Sequence, residues 1–131
     1  MAINGCDSVL KLGTNEIAGL NNVSNAYTGE SLDVTVFNAD CVRSFIAGLR
    51  SGTIDMSGFY ETGDTTGQVA LFTAFLAGAT LTTTQKPSFL VDGTNGFTAD
   101  AIITAYNVES AVDGTVNFSC TLQLTGTIAV V

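Results

Sequence analysis

One segment of this 131-residue chain has the pattern of an amphipathic helix, and the segments on either side have the patterns of strands and turns. The segment spans residues 64–78. Thr65 followed by Gln68 has the spacing of a capping box, which marks a helix start. Gly78 can adopt the left-handed conformation that ends a helix. A single helix among strands predicts a mainly β fold, either a sandwich or a barrel-like sheet, with one flanking helix.

The predicted helix needs an apolar face that packs on the sheet. Val69, Phe72 and Leu76 recur at the spacing of one helix face. The cleanest strand of the sequence, residues 116–125, alternates apolar and polar side chains, so that one face is apolar and the other is polar and uncharged. The side chains expected at the contact between helix and sheet are Val69, Phe72, Leu76, Phe118, Cys120 and Leu122.

Period-two alternation and turn residues predict the rest of the sheet. Asp-Gly and Asn-Gly pairs within residues 92–96, and Asp-Gly at 113–114, are strong hairpin signals. Gly13, Thr14 and Asn15 predict a first hairpin between residues 8–12 and 16–23. The predicted strands span residues 8–12, 16–23, 30–37, 53–60, 88–91, 97–109, 116–125 and 127–131. A chain of this length corresponds to one domain, residues 1–131.

Residues 38–51 fit neither the helical nor the strand period, so we expect a long loop. The loop is unusual in an acidic protein because it holds apolar side chains together with two of the four basic residues. Its apolar side chains could fold back onto the core, or the loop could be an arm that docks on a neighbouring subunit. The residues proposed for that arm are Asp40, Val42, Arg43, Phe45, Ile46, Leu49 and Arg50.

The acidic net charge of the chain excludes a basic surface that would bind the phosphates of nucleic acid. The chain has 12 acidic and 4 basic residues and a net charge of −8, and only 12% of its residues are charged. Binding of phosphates requires Lys and Arg, whereas an acidic or neutral surface lets a polyanion pass without binding it. Alternation turns Asp33 and Asp55 away from the apolar face of their strands.

The sequence carries no recognisable catalytic or metal motif. It contains no His, which rules out a Ser-His-Asp or Cys-His arrangement. Cys6, Cys41 and Cys120 are widely spaced and predict neither a zinc site nor a disulfide framework. We therefore expect no enzymatic activity and no cofactor. No signal peptide or membrane-spanning segment is evident, which favours synthesis in the cytoplasm.

Over residues 30–126 the order of these features resembles the major tail tube proteins of long, non-contractile-tailed bacteriophages. The segments that carry the resemblance are DVTVF at 33–37, RSFIAGL at 43–49, GTIDMSGFY at 52–60, the helix residues 71–78, and DGTVNFSCTL at 113–122. The resemblance implies a structural protein of the virion tail, whose subunits close into hexameric rings that stack into a tube. It implies the chain itself as main partner, together with tape-measure and tail terminator or tip proteins. DNA would only pass through, and no membrane would be bound. In such a tube we expect at least one of Asp33 and Asp55 to face the lumen or a subunit boundary.

Two other functions are compatible with the sequence. The chain could form the tube of a contractile injection or secretion system, which would share the fold. It could also be a monomeric β-sandwich binding module. Such modules usually display aromatic platforms, and this chain has no Trp and three Tyr residues.

Overall fold

The computed structural model describes residues 3–37, 41–82 and 85–131. Within these residues the fold is mainly β, with one α-helix, as predicted. The elements in chain order are a short 3-10 turn, Gly5–Asp7, then β1 Val9–Leu12, β2 Asn15–Glu16, β3 Leu20–Asp33, β4 Phe45–Phe59, α1 Gln68–Ala77, β5 Pro87–Leu90, β6 Gly96–Glu109 and β7 Asn117–Val130.

The strands form one seven-stranded sheet in the order β2-β1-β5-β6-β7-β4-β3, and every pairing is antiparallel. The hairpins predicted from the Asp-Gly and Asn-Gly turns are confirmed: β5 pairs with β6, and β6 pairs with β7. The first hairpin is also present, but its second arm is only Asn15–Glu16. Gly19, at a φ of 77°, then redirects the chain into β3.

Strands β4 and β7 pair over only part of their lengths. Their register runs from Thr53↔Gln123 to Phe59↔Asn117. Towards the start of β4 and the end of β7 the two strands diverge, β4 continuing with β3 and β7 continuing with β6. We call the end of the sheet at Phe45 and Val130 the open end, and the end at Phe59 and Asn117 the closed end.

The prediction of a loop over residues 38–51 is wrong for the second half of that segment. Phe45–Ser51 belongs to β4, where Ile46 pairs with Leu32 and Arg50 pairs with Gly29. The expected strand over residues 30–37 likewise ends at Asp33. The physical reason is that the distal part of the β3–β4 hairpin is exposed on both faces, so burial imposes no alternation on its side chains. The connection between the two strands is therefore residues 34–44.

The core lies between the paired half of the sheet, the helix and the β1–β2 hairpin. Leu10, Leu12 and Ile17 join Ile54, Met56 and Leu122 in one buried cluster, although β1 and β4 are far apart in the sheet order. The sheet must therefore curl over itself, as in a barrel-like fold. Phe118, Cys120 and Leu122 are all buried in this cluster, at the positions where β7 pairs with β4.

The helix ends where the sequence predicts but buries a different face. Gly78 adopts the left-handed conformation at the C-terminus, with φ 65°. The buried helix residues are Gln68, Leu71 and Ala74, whereas Leu76 is 69% exposed. The expectation that Leu76 packs on the sheet is therefore wrong. Almost every side chain of this helix is apolar, so the sequence does not distinguish one stripe from the next.

The other two expected helix residues occupy intermediate positions. Val69 is half-buried. Phe72 remains 41% exposed, yet its ring lies 4.9 Å from that of Tyr106 on β6. Tyr106 also meets the Phe118 ring at 5.1 Å, and its hydroxyl donates to the Gln68 carbonyl at 3.1 Å. Burial raises the pKa of Tyr106 to about 12, so the hydroxyl stays protonated and can act as this donor.

Gln68 connects three segments at the closed end. Its amide nitrogen donates to the Ala18 carbonyl at 2.6 Å and the Phe59 carbonyl at 3.0 Å, and its amide oxygen accepts from the Glu61 N–H at 2.9 Å. The capping box predicted from Thr65 does not form, and the N-cap residue is Gly67, without a side-chain cap bond. The Asp64 carboxylate instead accepts from the Gln68 and Ala18 backbone N–H groups, both at 3.0 Å. These bonds fix where β3 begins, where β4 ends and where the helix starts.

Candidate assembly surfaces

Four adjacent strands, β6, β7, β4 and β3, form a sheet with two long unpaired edges. Strand β3 pairs with β4 on one side, and no described strand pairs with its other side. Strand β6 pairs with β5 only over Gly96–Thr98, and a single bridge joins Ala101 to Leu81. Beyond that bridge, residues 102–109 pair with β7 on one edge, and no described strand pairs with their other edge. Unpaired edges of this length expose rows of backbone donors and acceptors that can pair with another chain.

One face of this four-stranded sheet is mainly polar, and its charged side chains, such as Asp55 and Glu109, are acidic. Cross-strand rows such as Ser24–Asp55–Thr121 and Ser57–Ser119–Asn107 run across it. Asp55 lies on this face and accepts a hydrogen bond from the Thr121 hydroxyl at 2.8 Å. The opposite face carries the buried Ile54, Met56 and Phe118. The sheet therefore separates a polar, solvent-facing surface from the core.

The open end concentrates exposed apolar side chains. Phe37 is fully exposed at 107%, Leu49 is 79% exposed and Phe45 is 53% exposed. Of the residues expected in a docking arm, Val42 and Arg43 lie in the connection, and Phe45, Ile46, Leu49 and Arg50 lie on β4. Asp40 lies outside the described residues. An exposed apolar group of this size is typical of an interaction surface.

Asp33 ends β3 at the same open end. Its carboxylate accepts from the Thr35 hydroxyl at 2.6 Å and the Thr35 N–H at 2.9 Å. These two bonds hold the pKa of Asp33 below its usual value, so the carboxylate stays charged. Thr35 also accepts from the Ser44 N–H at 2.8 Å. The connection therefore begins with an ordered turn that closes the hairpin.

The cysteines offer no reactive centre in the core. Cys120 is buried, and its pKa is raised to about 12, by burial first and by the nearby Asp55 carboxylate second. Its thiol therefore remains protonated and inert. Cys6 and Cys41 are exposed and unbridged, and Cys41 adopts a φ of 65°. Among the described residues no group of His, Cys, Asp and Glu side chains is arranged to hold a metal ion.

Comparison with known proteins identifies the fold family. The sequence profile of phage tail tube proteins matches residues 4–130. The chain belongs to the phage tail tube protein family. A search of curated protein sequences found no relative. In the described residues no helix is long and apolar enough to cross a membrane.

Solved structures show the same fold at low sequence identity. The tail of an empty gene transfer agent particle, refined with C6 symmetry, is 22% identical with a TM-score of 0.83, and the match covers 99% of both chains. The SPP1 tail tube is 18% identical with a TM-score of 0.72 over 95% of this chain and 77% of that one. The tube-terminating cap of the anti-feeding prophage is 12% identical with a TM-score of 0.70, over 100% of this chain and 91% of that one.

Sequence reasoning missed several residues that organise these surfaces. Gln68 was paired with Thr65 in a predicted capping box, and its side chain instead bonds three backbone groups. Asn25 lies on edge strand β3 with both amide atoms buried and without a hydrogen-bond partner in the described chain. No local sequence signal distinguishes Asn25 from the exposed Asn22. Val112 is fully exposed in the turn between β6 and β7. The sequence does contain a signal for it, because an apolar residue directly before the Asp113-Gly114 turn pair is expected to be exposed.

Proposed function

We propose that the chain polymerises into stacked rings of six copies that form the tube of a phage-like tail, through which the genome passes. The observation that carries this proposal is the pair of free edges on the β6-β7-β4-β3 sheet. Family membership and the C6 symmetry of the gene transfer agent tail support it. The whole chain, residues 1–131, would act as one domain.

The strand directions allow the edges of adjacent copies to pair. Going across the sheet, the strands alternate in direction from β6 to β3. When copies are related by rotation about the tube axis, β3 of one copy lies antiparallel to β6 of the next. Six copies with four strands each would close a barrel of about 24 strands, removing the free edges of β3 and β6. At about 4.8 Å per strand its backbone diameter would be at least about 37 Å, and wider when the strands tilt.

The polar face of the sheet would line this tube. Its hydroxyl and amide side chains hold water without offering a cationic site for phosphate. Asp55 would lie on the lumen wall and repel DNA, whereas Asp33, at the open end, would lie at a subunit boundary. A duplex would then pass with little adhesion.

The open end would make contacts between subunits. The apolar side chains of Val42, Phe45, Ile46 and Leu49 would be covered by a neighbour, and Arg43 and Arg50 would meet its carboxylates. We propose a structural role without enzymatic activity. The other partners would be the tape-measure protein and the tail terminator or tip proteins. The protein would be made in the host cytoplasm and reside in the virion tail.

The fold is also shared with the sheath/tube terminator of an extracellular contractile injection system, which favours one second candidate, a tube in such a system. The lumen and the ring contacts would be the same in both cases. The difference lies outside the tube, because only the contractile system adds a sheath. Co-purification of tubes with a sheath protein would select this second function.

Electron microscopy of the purified chain at high concentration tests the proposal. We expect rings or tubes from the native protein, and none from Phe45→Asp, which places a charge in the exposed apolar group at the open end. Because Phe45 is 53% exposed, its substitution should leave the urea-unfolding free energy within about 0.5 kcal/mol of native. A strictly monomeric sedimentation profile with featureless micrographs for the native protein would contradict the tube, and normal tubes from Phe45→Asp would contradict the role of the open end.

A further inference from the structure

The open end contains an apolar cleft between two strand edges that no described strand fills. It lies where β4 and β7 diverge, and it is open to solvent, with a volume of about 390 Å³. Tyr27 and Phe97 meet across it with ring centroids 5.6 Å apart. The side chains that matter here are Tyr27, Phe97, Ile128 and Val130, with Arg50 as the charged group at the rim.

The closed end carries a matching projection. The turn between β6 and β7, residues 110–116, places Val112 at its tip with a relative exposure of 109%. A hydrogen bond from the Gly114 N–H to the Ala111 carbonyl, at 3.3 Å, closes the turn, and the Tyr60 N–H donates to the Val116 carbonyl at 2.9 Å. An exposed valine held on an ordered turn loses little conformational entropy when it is buried by a partner.

Charge makes the turn and the cleft complementary. Glu109 precedes the projecting turn, Asp113 follows Val112 within it, and the sequence has no Lys or Arg after Lys86. Arg50 lines the cleft at the other end. The turn therefore presents an apolar tip between carboxylates. The cleft presents an apolar surface beside the Arg50 guanidinium. A guanidinium can bind a carboxylate through two hydrogen bonds.

The two features lie at opposite ends of the same hairpin, so one molecule cannot join them. Phe97 and Val130 are paired at the open end, and Glu109 and Asn117 are paired at the closed end. At about 3.3 Å per residue these ends are on the order of 40 Å apart. A projection and a complementary pocket at opposite ends of one molecule produce a head-to-tail contact that repeats without closing.

We propose that the β6–β7 turn of one copy inserts Val112 into the open-end cleft of a copy in the adjacent ring, with Arg50 meeting Glu109 or Asp113. This contact rests on the proposed stacking of rings, and it identifies the two surfaces that meet between adjacent rings. It sets the direction of stacking, because closed ends meet open ends. The same contact cannot form within a ring, where neighbouring copies present the same end at the same height.

Disulfide trapping tests this contact. In a Cys6→Ser and Cys41→Ser background, Val112→Cys combined with Val130→Cys should give, after oxidation of assembled tubes, a ladder of linked copies that extends beyond the six of one ring. The control pair Thr14→Cys with Val130→Cys should give no ladder. A ladder that stops at six copies, or no ladder from assembled tubes, would overturn the proposal.

A charge at the tip provides a second test that does not depend on oxidation. Val112→Asp should raise the protein concentration needed for tubes by about tenfold or more. Val112→Ile and the matched turn variant Thr14→Asp should assemble like the native protein. Normal tubes from Val112→Asp would overturn the inserted turn. Absence of rings and tubes from the native protein would instead contradict the proposed function itself.

Discussion

The two halves of strand β4 have the same neighbour, β3, but opposite environments. From Gly52 to Phe59 the side chains alternate between buried and exposed, and β7 covers the second edge. From Phe45 to Ser51 the strand leaves β7, and its side chains are exposed on both faces. The first half is held by burial within one chain, whereas the second half displays apolar groups that one chain cannot cover. The residues that stabilise the subunit and the residues available for assembly therefore lie on different halves of one strand.

The largest expected effect comes from making the same substitution at Leu122, on β7 opposite the buried half of β4, and at Leu49, on the exposed half of β4. Leu122→Ala removes a fully buried side chain opposite Ile54 and should lower the urea-unfolding free energy of the subunit by about 3–4 kcal/mol. Leu49→Ala, at 79% exposure on the distal half, should change it by less than about 0.5 kcal/mol. Equal losses at the two positions would break the comparison.

A second effect concerns the hydrogen bonds at the closed end. Gln68→Ala leaves the Ala18 and Phe59 carbonyls and the Glu61 N–H without their partner and should cost about 2–4 kcal/mol in urea unfolding. Gln85→Ala, an exposed glutamine, is the matched control and should be neutral. A neutral Gln68→Ala would mean that these backbone groups find other partners in solution.

The edge strand provides a smaller effect of opposite sign. Asn25→Val should stabilise the isolated subunit by about 1–2 kcal/mol, because both Asn25 amide atoms are buried without a partner in the described chain, opposite Ile54. Asn22→Val, on the exposed face, is the control. A loss of stability in Asn25→Val would contradict this account, because it would show that the native amide finds hydrogen-bond partners in the isolated subunit.

The smallest effect is a pH dependence at the Asp92–Asn95 turn. Hydrogen bonds from Asn95 and Thr94 lower the pKa of Asp92 from 3.8 to about 2. The folded state therefore gains stability that is present above about pH 4 and lost as pH falls towards 2. Thermal unfolding of native protein and Asp92→Asn should differ most above pH 4 and converge near pH 2. A difference that is constant across this range would contradict the role of the carboxylate.

Local chemistry determined much of this fold. The Asp92-Gly93 and Asp113-Gly114 turns predict their hairpins because these residue pairs suit tight turns wherever they occur. Gly78 predicts the end of the helix for a similar reason, its tolerance of a left-handed conformation. The alternation of β7 predicts its buried face. The mainly β class, the charge that disfavours nucleic-acid binding and the family resemblance were also readable from the sequence.

The tertiary structure decided what depends on distant partners. Phe45–Ser51 is a strand because it pairs with β3, not because its own residues alternate. Leu71 rather than Leu76 faces the sheet because the chain before the helix is anchored through Gln68 and Asp64, which sets the helix rotation. The cleft at the open end and the free edges of β3 and β6 exist only where strands diverge or stop pairing. Local patterns specify which backbone conformations are favourable, whereas an edge or a cleft is a relation between segments far apart in the chain.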